Sequence, residues 1–124
     1  MADMKVAVYG TLMTGEANYK WGENARDRRP CTIKGRLYDT GYGYPAFVPD
    51  ERGRDIEAEI ITVDEQGLKM LDRLEGYPYL YTRQTVGATV DGRLEWAMVY
   101  VMNELPMRAV RIDSDSWRKR DADN

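Results

Sequence analysis

Glu75 stands where a helical pattern calls for a leucine. Between Asp64 and Glu75 the residues Leu68, Leu71 and Leu74 recur along one apolar stripe at 100° per residue, and Glu75 projects between Leu68 and Leu71. Lys69, Asp72 and Arg73 fall on the other side. A carboxylate aimed at a core is costly to bury unless it is paired, hydrogen-bonded or neutralised. Gly76 follows at once, so Glu75 closes the helix at its partly negative end. Burial and the helix dipole both disfavour the charged form and so raise the pKa. A carboxylate tuned in that way is suited to general acid–base work near neutral pH. From the helix alone, an exposed helix end, or an internal pairing with Arg83 or another arginine, accounts for the pattern at least as well.

Two further segments carry chemistry. Val8-Tyr9-Gly10-Thr11-Leu12-Met13-Thr14-Gly15 takes a strand into a Gly turn. Backbone N–H groups gathered in such a turn make a nest for a carboxylate or phosphate. No Gly-Lys-Ser/Thr follows, so this is not a P-loop, and it is not a dinucleotide fingerprint. A tight turn with no ligand is the plainer account of Gly10. After Glu75, the segment Gly76-Tyr77-Pro78-Tyr79-Leu80-Tyr81-Thr82-Arg83 runs through a Pro turn into a strand. If that strand pairs next to the first, Tyr81 lies near both the Gly turn and Glu75. Tyr77 and Tyr79 fit ordinary surface packing with the hydroxyl in water. Gly41-Tyr42-Gly43-Tyr44-Pro45-Ala46 is an aromatic loop that either borders a pocket or simply covers a surface.

The elements that must position these groups are mostly strands. Met4, Val6 and Val8 alternate with Lys5, Ala7 and Tyr9; Cys31, Ile33, Gly35 and Leu37 alternate with Thr32, Lys34 and Arg36; Ile56, Ala58 and Ile60 alternate with Glu57 and Glu59. Leu80 to Val90 and Leu94 to Met102 read as long strands joined by Asp91-Gly92, a two-residue hairpin signal. A brief strand around Ala46 to Val48 and a short helix over Glu16 to Gly22 complete the pattern. The helix starts either with Thr62 and Glu65 as a capping box or with Asp64 as N-cap and Val63 stapled onto Leu68. From Leu105 the chain is polar and irregular, with Trp117 as its anchor, and its last few residues are expected to fray. About six strands and one or two flanking helices predict an α+β fold, a small mixed β-barrel, as a single domain over residues 1–124.

Composition narrows the function. The 124 residues are 43% hydrophobic and 31% charged with a net charge of −3, a globular balance. The positive charges are scattered, which argues against nucleic acid. No segment approaches 18 apolar residues and no leader-like start is present, so no membrane partner is expected and a reducing cytoplasm is the default location. The single cysteine, Cys31, reads as a reduced core thiol. There is no histidine, which removes histidine-containing triads, the common catalytic zinc sites and histidine proton shuttles. Acid–base chemistry near pH 7 is left to a tuned carboxylate, tyrosine or lysine. Trp21, Tyr42 and Trp96 are open between pocket, core and interface.

Tyr9-Gly10-Thr11-Leu12, Tyr44-Pro45-Ala46, Leu71-Asp72-Arg73-Leu74-Glu75-Gly76 with Tyr81 and Arg83, and Ile112 to Trp117 occur in that order. The ordered set resembles the gamma-glutamylcyclotransferase-like superfamily, its AIG2-like, gamma-glutamylamine cyclotransferase-like branch in particular, over roughly residues 4–117. The resemblance implies a mixed barrel with flanking helices and an enzyme releasing 5-oxoproline from a small gamma-glutamyl amine or gamma-glutamyl amino acid, with no metal and no cofactor. It implies Glu75 as the general base, Tyr9, Gly10, Thr11 and Leu12 as substrate-binding residues, and Tyr81 lining the site. Thr11 replaces a commoner serine, and Asp113-Ser114-Asp115-Ser116-Trp117 lacks the glycine often found before the tail's Asp-Trp. A non-catalytic small-molecule binding or interaction module on the same barrel is the alternative.

Overall fold

β-Branched and aliphatic residues at every second position force extended chain with one face turned inward. The computed structural model describes residues 3–22 and 25–119. Its elements are β1 (Met4–Val8), a 3₁₀ turn (Tyr19–Gly22), β2 (Arg26–Asp39), β3 (Pro45–Pro49), β4 (Arg54–Val63), α1 (Glu65–Glu75), β5 (Tyr81–Val90), β6 (Arg93–Met102) and β7 (Val110–Arg111). The end of the tail expected to fray, residues 120–124, lies outside the described residues.

Five strands close on themselves in the order β2-β4-β1-β6-β5, and β5 returns to β2 through Thr32↔Thr89 and Ile33↔Ala88. Only the β1–β6 contact is parallel, at Val6↔Met98. Closure satisfies the backbone groups that an open sheet leaves at its edges. β2 is long enough to leave the barrel, and its far end carries β3 and β7 as additional strands. Among the described residues the strand count is therefore five in the barrel and two outside it.

β2 buries Cys31, Ile33, Gly35 and Leu37 as its alternation requires. Gly35 is needed there, because a Cβ would lie 2.4 Å from the Val48 carbonyl and 2.5 Å from the Phe47 ring. Asp91 and Gly92 both take positive φ in the β5–β6 hairpin, as expected. Alternation fails in several places, at the end of β1, along residues 58–63 of β4 and at Val99 and Tyr100 of β6. Val6, Ala7 and Val8 are all buried because β1 is a central strand between β4 and β6. Glu59, expected on a polar face of β4, is only 8% exposed. The predicted short helix reduces to the 3₁₀ turn, and the strand expected at Ala46 to Val48 extends one residue each way.

α1 begins on Asp64, whose Oδ1 accepts the Gly67 N–H at 2.8 Å, so the second of the two starts is the one used. It ends on Gly76 at φ 66°, with Gly76 N–H bonded to Arg73 O and Tyr77 N–H to Asp72 O. Leu68 and Leu71 sink into the core, and Trp117 plugs it from the tail at 2% exposed. Leu71→Ala should therefore cost on the order of 2–5 kcal/mol, read as a lower denaturant midpoint with an unchanged slope.

Candidate active site

The Schellman end of α1 fixes where Glu75 points. Gly76 turns the chain in a left-handed step that a side chain would strain, and the preceding carboxylate is left on the inward face. It opens into a hollow of about 360 Å³ including its mouth. One wall is the end of β1 and the loop after it, Ala7 to Leu12; the others come from Tyr44 and Pro45, from Tyr81 at the start of β5, and from Tyr100 on β6. A second hollow of about 380 Å³ shares Thr11, Tyr44, Glu75 and Tyr81 with the first and adds Asn18, Leu74 and Leu80. The two form one groove with Glu75 at the junction.

Gly10 allows the loops to meet. A Cβ on it would stand 2.5 Å from Pro45 Cγ, so any larger residue would push the β1 loop off the Tyr44–Pro45 wall. Met13 N–H turns back onto Gly10 O at 3.0 Å, and Asn18 N–H caps Thr11 O at 2.7 Å. Asn18 Nδ2 also donates to Thr11 Oγ1 at 3.0 Å. The N–H groups of Thr11 and Leu12 donate to no acceptor among the described residues, and both residues border the hollow. This is a nest of the kind the sequence suggests.

Three tyrosines surround Glu75, and each sends its proton elsewhere. Tyr9 Oη donates to Tyr100 O at 2.7 Å, Tyr81 Oη to Pro45 O at 2.8 Å, and Tyr100 Oη to Asp72 Oδ1 at 2.6 Å. Burial pushes all three hydroxyls above their ordinary range, and the charge of Glu75 adds to it. Arg83 is taken up by Asp72, 3.6 Å away, and lies over the Tyr77 ring at 4.2 Å, so it does not pair with Glu75. The Glu75 carboxylate makes no hydrogen bond and no ion pair among the described residues. Loss of water around it raises its pKa to about 7. A half-buried, unpaired carboxylate in a hollow is an exception to the rule that buried polar groups find partners, and it calls for a functional reason.

A family model described as gamma-glutamyl cyclotransferase, AIG2-like, matches residues 6–119. The chain belongs to that family. It is accordingly a cyclotransferase-type enzyme. A protein of Halalkalibacterium halodurans with the provisional name gamma-glutamylcyclotransferase is 35% identical over 101 residues, 77% of this chain and 88% of the relative. A Vibrio cholerae protein with the same provisional name is 33% identical over 117 residues, 93% of this chain and 96% of its own length. The crystal structure of an AIG2-like protein from Mus musculus superposes with a TM-score of 0.73 at 27% identity, covering 83% of this chain and 79% of that one.

Within this AIG2-like fold, Tyr9, Gly10, Thr11, Leu12, Glu75 and Tyr81 all border one hollow. The route differs from expectation in one respect: β5 does not pair with β1, since β6 lies between them, and Tyr81 reaches the hollow from the start of its strand. Tyr44 and Pro45 show that the aromatic loop borders a pocket, while Tyr42 is 56% exposed. Tyr79 faces water; Trp21 and Trp96 are also exposed. Tyr100 and Asn18 escaped sequence reasoning. Tyr100 is buried beside buried Val99, out of step with the alternation of β6, and nothing in the sequence marks it. Cys31 is buried with its thiol pushed up to about 12, chiefly by loss of water, as suits an inert core residue. Among the described residues no group of three or more His, Cys, Asp or Glu is placed to hold a metal, and no helix is long and apolar enough to cross a membrane.

Glu75 resists charging only in the folded state, so it weakens the fold at high pH. Its contribution to stability is fully present below the unfolded value near 4.5 and is lost as pH rises through about 7. Glu75→Gln should thus be more stable than the parent above pH 7, by on the order of 2–3 kcal/mol, with the gap closing toward pH 4.5. Denaturant melts at pH 8 and pH 5 check both the sign and the trend.

Proposed function

We propose that this enzyme releases 5-oxoproline from a gamma-glutamyl amine or gamma-glutamyl amino acid, with Glu75 as general base and then general acid. The observation that carries the reading is the unpaired Glu75 carboxylate, poised near neutrality in a hollow faced by the free N–H groups of Thr11 and Leu12. Those N–H groups suit the substrate's α-carboxylate. The gamma-glutamyl chain then lies in the inner hollow between Tyr9, Tyr100 and Pro45, and the leaving group lies in the outer one against Leu74, Leu80 and Asn18.

The chemistry is internal to the substrate. Its α-ammonium loses a proton to Glu75, and the amine attacks the gamma carbonyl to form the five-membered ring. The bond from that carbon to the leaving nitrogen breaks as Glu75 returns the proton to the departing amine. The ring nitrogen then gives its remaining extra proton to the freed carboxylate, which passes it to the amine, and the amine leaves as an ammonium ion. Folding the chain for ring closure within one molecule is worth as much as about 7–11 kcal/mol of barrier in the best cases. A placed base adds roughly 10²–10⁴-fold. Three of the wall tyrosines, Tyr9, Tyr81 and Tyr100, do not compete for the proton, since each hydroxyl is already donating to another acceptor. Tyr81, whose proton is held by Pro45 O, serves as wall rather than as oxyanion donor.

Incubation with a panel of gamma-glutamyl amines and gamma-glutamyl amino acids should yield 5-oxoproline by mass spectrometry. Glu75→Gln should lose at least about 10²-fold in kcat while remaining folded. For the parent, kcat/KM should rise with pH and level off above about 7 as the free enzyme's Glu75 gives up its proton. Full turnover by Glu75→Gln would remove Glu75 from the mechanism. Ligand binding with no turnover of any panel member would favour a binding module instead.

A further inference from the structure

The loop that supplies the Thr11 and Leu12 N–H groups is shaped by its own backbone turns, Met13 N–H to Gly10 O, Glu16 N–H to Met13 O and Asn18 N–H to Thr11 O. It is also gripped from behind, by a charged cluster outside the hollow. Glu59 on β4 stands opposite Val8, the last residue of β1, so its side chain rises beside the point where the loop begins. Its Oε1 accepts the Thr14 N–H at 2.8 Å and the Thr14 hydroxyl at 3.1 Å. The same oxygen takes Arg28 Nη1 at 2.6 Å, and that nitrogen also donates to Leu12 O at 3.2 Å.

The remaining half of the grip comes from the C-terminal tail. Arg118 Nη2 reaches Glu59 Oε2 at 3.1 Å and Thr14 O at 2.7 Å, while its Nη1 reaches Glu57 Oε2 at 3.0 Å. Ser116 Oγ donates to the other oxygen of Glu57, and Asp115 O accepts the Glu57 N–H at 2.7 Å. Trp117, next in the chain to Ser116 and Arg118, is buried in the hydrophobic core at 2% exposed. Two carboxylates and two guanidinium groups thus balance in charge and hold the loop at the Leu12 carbonyl and at both backbone groups of Thr14.

A buried carboxylate is a poor device for stability alone, since desolvation offsets much of what pairing returns. What it does here that an apolar residue could not is fix one short stretch of backbone in space. We propose that Glu59 and Arg118 are positioning residues, which aim the Thr11 and Leu12 N–H groups at the substrate by holding Thr14 and Leu12 from outside the hollow. This inference rests on the reading of the site given above. Neither side chain touches the hollow, so neither alters the proton affinity of Glu75 by contact.

The test uses the full-length protein and a gamma-glutamyl amine that it turns over. Glu59→Gln keeps the size but loses the charge that draws both arginines; Arg118→Gln releases the tail from Thr14 O; Arg118→Lys keeps the charge but not the fork. Loosening the nest weakens substrate binding before and during the reaction alike, so KM should rise at least tenfold in Glu59→Gln and Arg118→Gln with kcat changed less than about threefold. Arg118→Lys should fall between them and the parent, and the pH midpoint of kcat/KM should stay near 7. Amide hydrogen exchange should quicken at Thr14 and its neighbours. A lower melting temperature with KM unchanged in the folded variants would make the cluster merely structural and overturn the proposal. Should Glu59→Gln fail to fold, the two variants at the more exposed Arg118 decide the matter. Absence of 5-oxoproline from the parent itself would overturn the reading of the site and this inference together, whereas an active parent with indifferent variants overturns this inference alone.

Discussion

The rest of the structure is arranged around a carboxylate that has no hydrogen-bond or ion-pair partner among the described residues. Asp72 occupies Tyr100 and Arg83, Pro45 O occupies Tyr81, and Tyr100 O occupies Tyr9, so these four groups are engaged elsewhere. That is a costly state for an acid inside a protein, and a closed barrel is a good means of imposing it. With no free edge in the ring of five strands, the strand-borne walls of the hollow, Ala7 and Val8 on β1, Tyr81 on β5 and Tyr100 on β6, cannot slide without breaking ladder hydrogen bonds.

The contrast with the other carboxylates makes the point by environment rather than by residue type. Glu95 lies between Arg29 and Lys5, and the hydrogen bonds from those two groups hold its carboxyl down at about 2. Glu59 is also buried, at 8% exposed, yet Thr14, Arg28 and Arg118 keep it below the usual carboxylate range despite its loss of water. Glu75 alone of the three has burial with nothing to set against it. One amino-acid type therefore stands as a surface ion pair, a buried ion pair and an unpaired acid near neutrality within one small fold.

How much of this was legible beforehand follows from the range of the forces involved. The inward aim of Glu75 is a matter of helical period, and the cap on Asp64 and the turn at Gly76 are local chemistry, so all three could be read from the chain. The hairpin at Asp91-Gly92 was legible for the same reason. Whether Arg83 paired with Glu75 was not, because Arg83 has a second carboxylate, Asp72, one helical turn from Glu75, and only the packed structure chooses between them. Glu59 was misassigned to a polar face by strict alternation. The rule assumes that one face meets water, and here that face meets the Thr14 loop and the tail instead. Tyr100 and Asn18 depend on which strand and which loop come to rest beside α1, and no short window of sequence records that.

The absence of histidine fits this design for a physical reason. An imidazole near neutrality needs no special surroundings, so a site built on it tolerates water and nearby donors. A glutamate reaches the same range only where water and donors are kept away. In the proposed ring closure by the substrate's own amine, water would be the competing nucleophile. The surroundings that tune Glu75 would then also favour cyclisation over hydrolysis, and filling the hollow with a donor to stabilise the acid would weaken both at once.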